Sequence, residues 1–583
     1  MKRLSLNQKM VEEKKPALIL TFSPREKEIV VPASVKSERP EFAPVQWLNG
    51  WMLRENFSLT APLVLFVFAL WFLPNRALGA ELLWSNQLSQ ATDLTGSSGT
   101  GDLVSDPGRG AVLHFSVPHT NESAARSFPL PIERLRNRFV SLDAEVKAAD
   151  VGPKPNLWNG IKVMVHLETP VGSQWPQAEL PTGTFDWQRC SHRFLVPPDA
   201  TAATLVLGME NVPGQAWIHD VRLVLGKELT DAPAAPANAP IFRGHSQPRL
   251  RGAMVAPDTL KESDLAVLAR DWGGNLIRWQ LIRYGVPTNE SGYDNYDRWL
   301  DQQLNQLDRG LTWAASMGVQ VVVDLHSPPS GRPINSGGYQ AAIGSLWTDP
   351  NAQTKFTEVW RTIATRYRGD QRIWGYDLVN EPVDENVAEG CDDWQSLALR
   401  AAQAVRSIDP QRTLIIEPPD WGSASGFLGF HPLPLTNVVY SFHIYNPHTF
   451  THQGLFGPSQ PVTYPGRIDG DWWDKSAIER AIEPATAFAV RYRVHLYVGE
   501  FSVIRWAPGG DKYLSDLIDI VERHGWDWSY HAFREWDGWS VEHGADENDH
   551  TPTAQPTARK QVLLKWFGQN KTELNGHDSE PKR

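Results

Sequence analysis

From residue 248 onward, short apolar runs alternate with longer amphipathic segments. The apolar runs have the length of strands and lie at 250–255, 275–279, 319–326, 373–382, 413–417, 438–443, 495–501 and 526–533. Apolar residues recur with a helical period at 262–272, 295–317, 352–368, 392–408, 474–492, 511–524 and 557–567. A helix between successive strands forces parallel pairing, and eight such repeats close into a barrel. The pattern therefore predicts an α/β fold, a (β/α)₈ TIM barrel, over residues 248–568.

Residues 81–226 follow a different pattern. Short alternating runs at 111–117, 139–146, 161–167, 203–208 and 216–223 are separated by Gly, Pro, Asn and Asp. Several short strands with turn signals and little helix predict an N-terminal all-β sandwich. We expect Trp187 and Trp217 to pack in its core and Trp158 and Trp175 to lie in its loops. The Ala/Pro-rich stretch 227–247 is typical of a semi-rigid linker to the barrel.

The beginning and the end of the chain are polar. Residues 1–51 and 569–583 lack apolar periodicity, so we expect both to be disordered. Residues 52–80 contain an uncharged apolar core, 63–73, which follows Arg54 and precedes several small residues. This core is short for a transmembrane helix and typical of a secretory signal peptide, which predicts a secreted, periplasmic or cell-envelope protein. An uncleaved membrane anchor is the alternative.

The amino-acid composition of the chain argues against some classes of binding partner. The 583 residues are 41% hydrophobic and 21% charged, as in soluble globular proteins of two or three domains. A net charge of −11 without a basic stripe argues against nucleic acid as a partner. The two cysteines, Cys190 and Cys391, cannot build a disulfide framework or a zinc site, and we do not expect His326, His443 and His448 to form a metal site. We expect a monomer that needs no metal and no cofactor.

Two of the predicted barrel strands end in a glutamate. Strand four ends in Asn380-Glu381-Pro382, and strand seven ends in Gly499-Glu500. Proline cannot donate to a ladder and favours an extended residue before it, so we expect strand four to stop at an extended Glu381. The carboxyl ends of barrel strands meet at the face that holds the chemistry of TIM barrels. Two carboxyls there are the pair that glycoside hydrolysis by double displacement requires.

The stretch from Leu378 to Pro382 resembles the Asn-Glu-Pro signature of glycoside hydrolase family 5, the family of many cellulases and mannanases. The resemblance extends over residues 248–567. It implies that Glu381 is the general acid/base and Glu500 the nucleophile of a retaining endo-β-glycosidase. The implied partner is a polysaccharide, a β-1,4-glucan, cleaved through a covalent glycosyl-enzyme intermediate.

Several alternatives remain open at this point. β-Mannan, β-1,3-glucan and a glycolipid headgroup are possible substrates because the barrel motifs are shared within the family. Transglycosylation uses the same intermediate and differs only in the acceptor. A non-catalytic carbohydrate-binding protein that kept the barrel is the alternative of another class.

The resemblance also implies roles for residues around the two glutamates. Arg278, at the end of strand two, would hold Glu500 ionised, and Tyr445 would donate to the same carboxylate. Asn380 would bind the 2-hydroxyl of the sugar.

Three further residues would form the walls of the sugar site. His326 and His443 would line the subsite of the cleaved sugar, and Trp536 would be its stacking platform after strand eight. Phe533 and Trp539 are alternatives to Trp536. Glu417 also ends a strand, but the catalytic pair of the family lies on strands four and seven, so we expect Glu417 to be a substrate-binding or structural carboxylate.

The sandwich carries a resemblance of its own. Residues 214–221 resemble the last strand of jelly-roll carbohydrate-binding modules, and 184–187 resemble one of their middle strands. This implies a jelly roll in which Trp158 and Trp175 are candidate sugar platforms. A structural or spacer role is the alternative, because jelly rolls host many functions.

Overall fold

The computed structural model describes residues 81–155, 158–170, 172–178, 180–230, 232–283, 292–330, 346–384, 387–388, 390–455 and 461–577. The predicted N-terminal extension 1–51 and signal peptide 52–80 lie outside these residues, as does the end of the predicted tail from 578 onward. Among the helices within these ranges, none combines the length and the apolar character needed to cross a membrane.

The N-terminal part of the described chain is built from two antiparallel sheets, as the alternating pattern predicted. Its strands are β1 Glu81–Asn86, β2 Ser98–Gly99, β3 Asp102–Asp106, β4 Gly110–Val117, β5 Ser123–Leu130, β6 Arg138–Val151, β7 Gly160–Thr169, β8 Gly172–Gln174, β9 Gly183–Val196, β10 Ala202–Glu210 and β11 Gly214–Glu228. One sheet has the order β3-β4-β11-β6-β9, with β1 also paired to β11, and the other has the order β2-β5-β10-β7-β8. A 3₁₀ turn at Ala91–Leu94 and the short helix α1, Ile132–Leu135, connect strands.

Trp217 does not pack in the core of the sandwich, so our prediction for it was wrong. Its neighbours on β11, Ala216 and Ile218, are fully buried, and side chains alternate between the faces of a strand. Trp217 therefore lies on the outer face, where its ring stacks on His114 at a centroid distance of 4.9 Å. Trp187 is also only half-buried. The sandwich core is formed by aliphatic side chains and Phe residues.

Eight parallel strands then close into a barrel in chain order, which confirms the predicted fold class. They are β12 Arg251–Val255, β13 Leu276–Gln280, β14 Gln320–Asp324, β15 Ile373–Asp377, β16 Thr413–Ile416, β17 Val438–Ile444, β20 Leu496–Phe501 and β21 Asp527–Tyr530. The hairpin β18 Gly466–Ile468 and β19 Asp471–Trp473 is inserted between β17 and β20. Pairing of β21 with β12 closes the barrel.

Helices pack around the barrel and connect its strands. They are α2 Glu262–Ala266, which continues as π-helical turns through Val267–Trp272, α3 Asp294–Ser316, α4 Pro350–Arg366, α5 Trp394–Arg406, α6 His448–Thr451, α7 Lys475–Ala481, α8 Glu483–Tyr492, α9 Gly510–His524 and α10 Ala558–His577, with a 3₁₀ turn at Ala424–Phe427. The predicted helix 474–492 is two helices, because Pro484 in the first turn of α8 has no N–H to continue the ladder. The last helix continues past residue 568, the predicted end of the barrel domain.

The barrel strands are buried on both faces, as expected for a parallel sheet covered by helices. One face of each strand packs against the helices in a large common cluster. The opposite face contributes to a smaller cluster, Leu250, Leu276, Val322, Trp374, Ile415, Val439 and Tyr497. Leu276 lies two residues before Arg278 and shares its face, so this apolar layer fills the barrel beneath the polar strand ends.

We expect Gly310→Ala to destabilise the protein by about 1–3 kcal/mol, the usual cost of overpacking a well-packed core. A methyl group on Gly310 of α3 would lie 2.2 Å from the ring of Trp279, which is 1% exposed on β13. Gly568→Ala on α10 is the matched control, because nothing lies within 4 Å of its added methyl. That substitution should stabilise by about 0.5–1 kcal/mol. Urea unfolding measures both, and effects of the same sign would contradict the packing we describe.

Candidate active site

The carboxyl ends of the barrel strands bring the two predicted glutamates together. Glu381 follows β15, and Glu500 lies on β20. One carboxylate oxygen of each, together with a ring nitrogen of His443, forms a group whose atoms all lie within 4.8 Å of one another. The side chain of Glu500 is 5% exposed and that of Glu381 is 17% exposed. One carboxyl is thus nearly enclosed and the other is more open to solvent.

Arg278 lies at the centre of the charged network. It is fully buried on β13, and its guanidinium donates to Glu500 Oε1 and to Glu417 Oε1, each at 2.8 Å. The same group lies 3.2 Å from Asp324 Oδ1 and 2.9 Å from Asp377 Oδ2. A planar guanidinium has five donors and an ammonium has three, so the guanidinium can contact more carboxyl groups at once. Arg278 therefore contacts four carboxyl groups that come from different strands.

Neighbouring charged groups set the ionisation states of Glu500 and His443. Burial alone would raise the pKa of Glu500, but the electrostatic interactions with His443, His531 and Arg278 outweigh it and hold that pKa below its ordinary value. Burial alone would lower the pKa of His443, but Glu417 and Glu500 raise it well above its ordinary value. Glu500 is therefore a carboxylate and His443 an imidazolium at neutral pH.

His443 bridges carboxylates. Its Nδ1 lies 3.0 Å from Glu381 Oε1, and its Nε2 lies 3.2 Å from Glu417 Oε1. The residue is 3% exposed. Glu417, which we expected to be a substrate-binding or structural carboxylate, is fully buried and accepts from the backbone N–H of Glu381 at 2.8 Å. These contacts fix the orientation of Glu381 from two sides.

Tyr445 and a residue that we did not predict complete the surroundings of Glu500. The hydroxyl of Tyr445 donates to Glu500 Oε2 at 3.0 Å and lies 2.7 Å from Nδ1 of His531. The other ring nitrogen of His531 is 3.7 Å from Glu535 Oε2, which accepts from Gln280 at 2.8 Å. His531 is the first residue after β21, a strand-end position that could have been recognised from the sequence.

The amide of Asn380 is held in one orientation. Its Oδ1 accepts from Arg278 at 3.1 Å, and its Nδ2 lies 3.3 Å from Nε2 of His326. The other ring nitrogen of His326 is 2.9 Å from Asp324 Oδ2. Asn380 and His326 are thus joined to the same network as Glu500.

The backbone of Glu381 differs from our expectation. We expected Pro382 to keep this residue extended at the end of strand four, and this was wrong, because β15 ends at Asp377 and Glu381 has a φ of +47°. A positive φ is costly for a residue with a Cβ atom. The hydrogen bond from the Glu381 N–H to Glu417 accompanies this turn, so a contact with strand five overrides the local preference.

Aromatic rings extend outward from Glu500. Trp539 is 6% exposed, and its ring lies 5.6 Å from that of His531 and 6.2 Å from that of Tyr445. Trp536, our predicted platform, is half-buried and meets Trp539 edge-on at 5.9 Å. Trp539 therefore adjoins the residues around Glu500, and Trp536 lies one ring further out.

Two groups of three side chains within the described residues have ligand atoms close enough together to share a metal ion. One is Glu381, His443 and Glu500, whose carboxylates already accept the hydrogen bonds described above. The other is His245, His495 and Asp527. There both imidazoles contact the same Asp527 oxygen, at 2.7 and 2.6 Å, so hydrogen bonds account for this second group.

A closed (β/α)₈ barrel with paired carboxyls at its strand ends is the architecture of a glycoside hydrolase. The family described as cellulase (glycosyl hydrolase family 5) matches residues 231–536, and the chain belongs to this family. The match spans all eight barrel strands, ends before α10 and leaves the sandwich outside.

Individual relatives agree with this family. Endoglucanase C of Acetivibrio thermocellus is 27% identical over 301 residues, which cover 46% of this chain and 84% of that relative. Cellodextrinase A of Ruminococcus flavefaciens is 26% identical over 272 residues, covering 46% and 76%. Among solved structures, a mutant form of Thermotoga maritima Cel5A with cellobiose aligns with a TM-score of 0.42 and 21% identity, covering 55% of this chain and 96% of that one.

We expect Arg278→Lys to move the acid limb of the pH profile of kcat/KM to higher pH. A lysine cannot donate to all four carboxylates, so the pKa of Glu500 rises toward its ordinary value. Activity that needs ionised Glu500 is then lost at a higher pH as the solution is acidified. The measurement is kcat/KM on a soluble cello-oligosaccharide from acid to neutral pH.

Arg412→Lys is the matched control for this prediction. Arg412 is also buried, at 6% exposed, and donates to Asp409 Oδ2 at 3.1 Å without contacting the network around Glu500. It should lower Tm and leave the acid limb in place. An acid limb that stays unchanged in Arg278→Lys would contradict the charge effect assigned to Arg278.

Proposed function

We propose that the protein is a retaining endo-β-1,4-glucanase that works by double displacement. The observation that carries the proposal is the short separation of the two carboxyl groups. One carboxylate oxygen of Glu381 lies within 4.8 Å of one carboxylate oxygen of Glu500. Retaining glycosidases have carboxyl groups about 5–5.5 Å apart, whereas inverting enzymes leave about 6.5–9.5 Å for a water molecule. The separation here supports direct attack by one carboxylate on the sugar.

In the first step, Glu500 is the nucleophile. A carboxylate oxygen of Glu500 forms a bond to the anomeric carbon while the glycosidic C–O bond breaks. Glu381 gives its proton to the departing oxygen, so the leaving sugar departs as a neutral alcohol. Arg278 and Tyr445 hold Glu500 in place, and the pKa of Glu500, which lies below its ordinary value, keeps it ionised for the attack.

In the second step, the glycosyl ester is hydrolysed. Glu381, now a carboxylate, takes a proton from water as the water oxygen bonds to the anomeric carbon. The ester bond to Glu500 breaks, which returns both residues to their starting states and retains the β configuration. In this proposal Asn380, whose amide is oriented by Arg278 and His326, binds the sugar 2-hydroxyl.

The proposed substrate is a β-1,4-glucan. Membership of the cellulase family supports a polysaccharide substrate, and the relatives named endoglucanase and cellodextrinase support glucan over mannan. Trp536, which is half-buried beside Trp539, offers an apolar face of the kind on which pyranose rings pack.

We propose two further properties with support from the sequence. The apolar core of residues 52–80 supports secretion to the periplasm, cell envelope or medium. The β-sandwich is proposed to be a jelly-roll module that binds sugar, because Trp158 and Trp175 are 56% and 53% exposed. Exposed aromatic rings are the usual means by which proteins hold the apolar face of a sugar.

We expect the full chain to hydrolyse carboxymethylcellulose and mixed-linkage glucan, with little action on mannan, xylan or laminarin. Glu500→Ala should abolish this activity, and Glu381→Gln should lower it by about 10²–10⁴-fold, the usual contribution of a general acid/base. Glu479→Gln, an exposed glutamate on α7, is the control and should not change the rate.

The stereochemistry tests the mechanism separately. Proton NMR should detect the β-anomer as the first product, and a 2-deoxy-2-fluoro cellobioside should form an ester on Glu500 that mass spectrometry of peptides locates. Release of the α-anomer would contradict double displacement. Activity on mannan alone would keep the mechanism and replace the substrate. Unchanged hydrolysis in Glu381→Gln would contradict the assignment of Glu381 as the general acid/base.

A further inference from the structure

The segment that carries Glu381 is held by hydrogen bonds at both of its ends. The N–H of Glu381 donates to Glu417 Oε2 at 2.8 Å, and Asp384 Oδ2 accepts from the N–H of Trp394 at 3.0 Å. The indole of Trp394 in turn donates to the carbonyl oxygen of Glu417 at 2.7 Å. A φ of +47° at Glu381 is strained for a residue with a Cβ atom and persists only where surrounding contacts over-determine the backbone. The position of Glu381 therefore depends on these contacts.

The second oxygen of Asp384 is bound by the β-sandwich. Arg193 on β9 donates to Asp384 Oδ1 at 2.7 Å, across 191 residues of chain. The guanidinium of Arg193 also lies 4.4 Å from the ring centroid of Phe139, on the neighbouring strand β6. The side chains of Asp384 and Arg193 are 8% and 23% exposed. Charge-assisted bonds that are largely removed from water are stronger than ion pairs on an open surface.

The two domains also touch around this ion pair. Leu229, the residue after β11, packs so closely on Gly429 that a Cβ atom there would lie 2.2 Å from the Leu229 side chain. The ring of His431 is hydrogen-bonded to the carbonyl oxygen of Thr230. Gln395, next to Trp394 at the start of α5, holds His431 through two hydrogen bonds of 2.9 and 3.0 Å. The start of α5 thus joins the sandwich to the segment behind Glu381.

We propose that Arg193 is a positioning residue for Glu381, so that the β-sandwich takes part in catalysis by the barrel. Arg193 acts through Asp384, which is three residues after Glu381 and closes the second end of the strained segment. Without this bond, the segment is held from the barrel side alone and the Glu381 carboxyl moves relative to the leaving oxygen. The inference rests on the proposed role of Glu381 as the general acid/base.

Leaving-group dependence separates acid positioning from general damage. A dinitrophenolate leaves without protonation, whereas an unsubstituted phenolate needs a proton from the acid. We therefore compare kcat/KM, which reports the glycosylation step, on 2,4-dinitrophenyl and phenyl β-cellobiosides with the full chain. We expect Arg193→Leu to lose about tenfold on the phenyl substrate, within the 10²-fold that a displacement of about 1 Å can cost. On the dinitrophenyl substrate the loss should stay below about twofold, because the nucleophile is untouched.

Three further variants keep this test interpretable. Arg109→Leu is the matched control, because Arg109 pairs with Glu145 at 2.7 Å and stacks 4.4 Å from the centroid of Trp187, all within the sandwich. It should leave both substrates unchanged. Asp384→Asn removes the charge with little change of shape and should show the same selective loss as Arg193→Leu. Arg193→Lys keeps the charge and should recover part of the phenyl activity. Thermal unfolding of each variant checks that it is folded.

The reference variant is Glu381→Ala, which should lose phenyl activity far more than dinitrophenyl activity. If Glu381→Ala shows this selectivity and the folded Arg193 and Asp384 variants do not, the positioning role is wrong and the proposed function stands. Equal losses on both substrates in those variants also contradict positioning of the acid. If Glu381→Ala itself lacks the selectivity, Glu381 is not the acid and both proposals are overturned.

Discussion

The guanidinium of Arg278 is the interaction on which the active face of the barrel depends. Taking a carboxylate out of water costs several kcal/mol unless it is paired and hydrogen-bonded. Asp324, Asp377 and Glu417 are completely buried, and Glu500 is nearly so. Each comes from a different strand, and the guanidinium of Arg278 contacts all four. The imidazolium of His443 is a second buried cation beside Glu417. The apolar layer beneath these groups contains no charged side chains and therefore needs no buried cation.

The same network gives the two glutamates different environments. Glu500 is surrounded by donors, from Arg278 on one oxygen and Tyr445 on the other, which favours its ionised form. Glu381 is more exposed and contacts the imidazolium of His443. The two glutamates therefore differ in exposure and in the groups that contact them. His443 contacts both Glu381 and Glu417, and Glu417 in turn accepts from Arg278. The charges around the two glutamates therefore belong to one connected network.

The sandwich contacts the barrel at a segment whose backbone is strained. Glu381 has a positive φ, and the residues that follow it are held by the start of α5 and by Arg193 of the sandwich. A domain that the family match leaves outside therefore contacts the segment that carries one of the two central carboxyls. This arrangement gives the N-terminal domain a mechanical connection to the barrel that does not require it to bind sugar.

The sequence by itself determined the fold class and the strand ends at which chemistry would lie. Alternation with period two, helical periods between apolar runs and polar residues after those runs are local properties, so the barrel and the positions of Glu381, Asn380, Glu500 and Arg278 could be read from them. The position of Trp217 was predicted wrongly from the sequence. Whether its side chain lies in the core or on the outer face of the sandwich depends on the register of β11.

Only the tertiary structure decided how those strand ends meet. The convergence of four carboxylates on Arg278, the bridge made by His443 and the contact of His531 with Tyr445 join residues from strands that are far apart in sequence. The turned backbone of Glu381 opposes the local preference before a proline and is accompanied by a hydrogen bond to Glu417 on the next strand. Local pattern cannot report such features, because their free energy comes from contacts that exist only after the barrel has closed and the sandwich has packed against it.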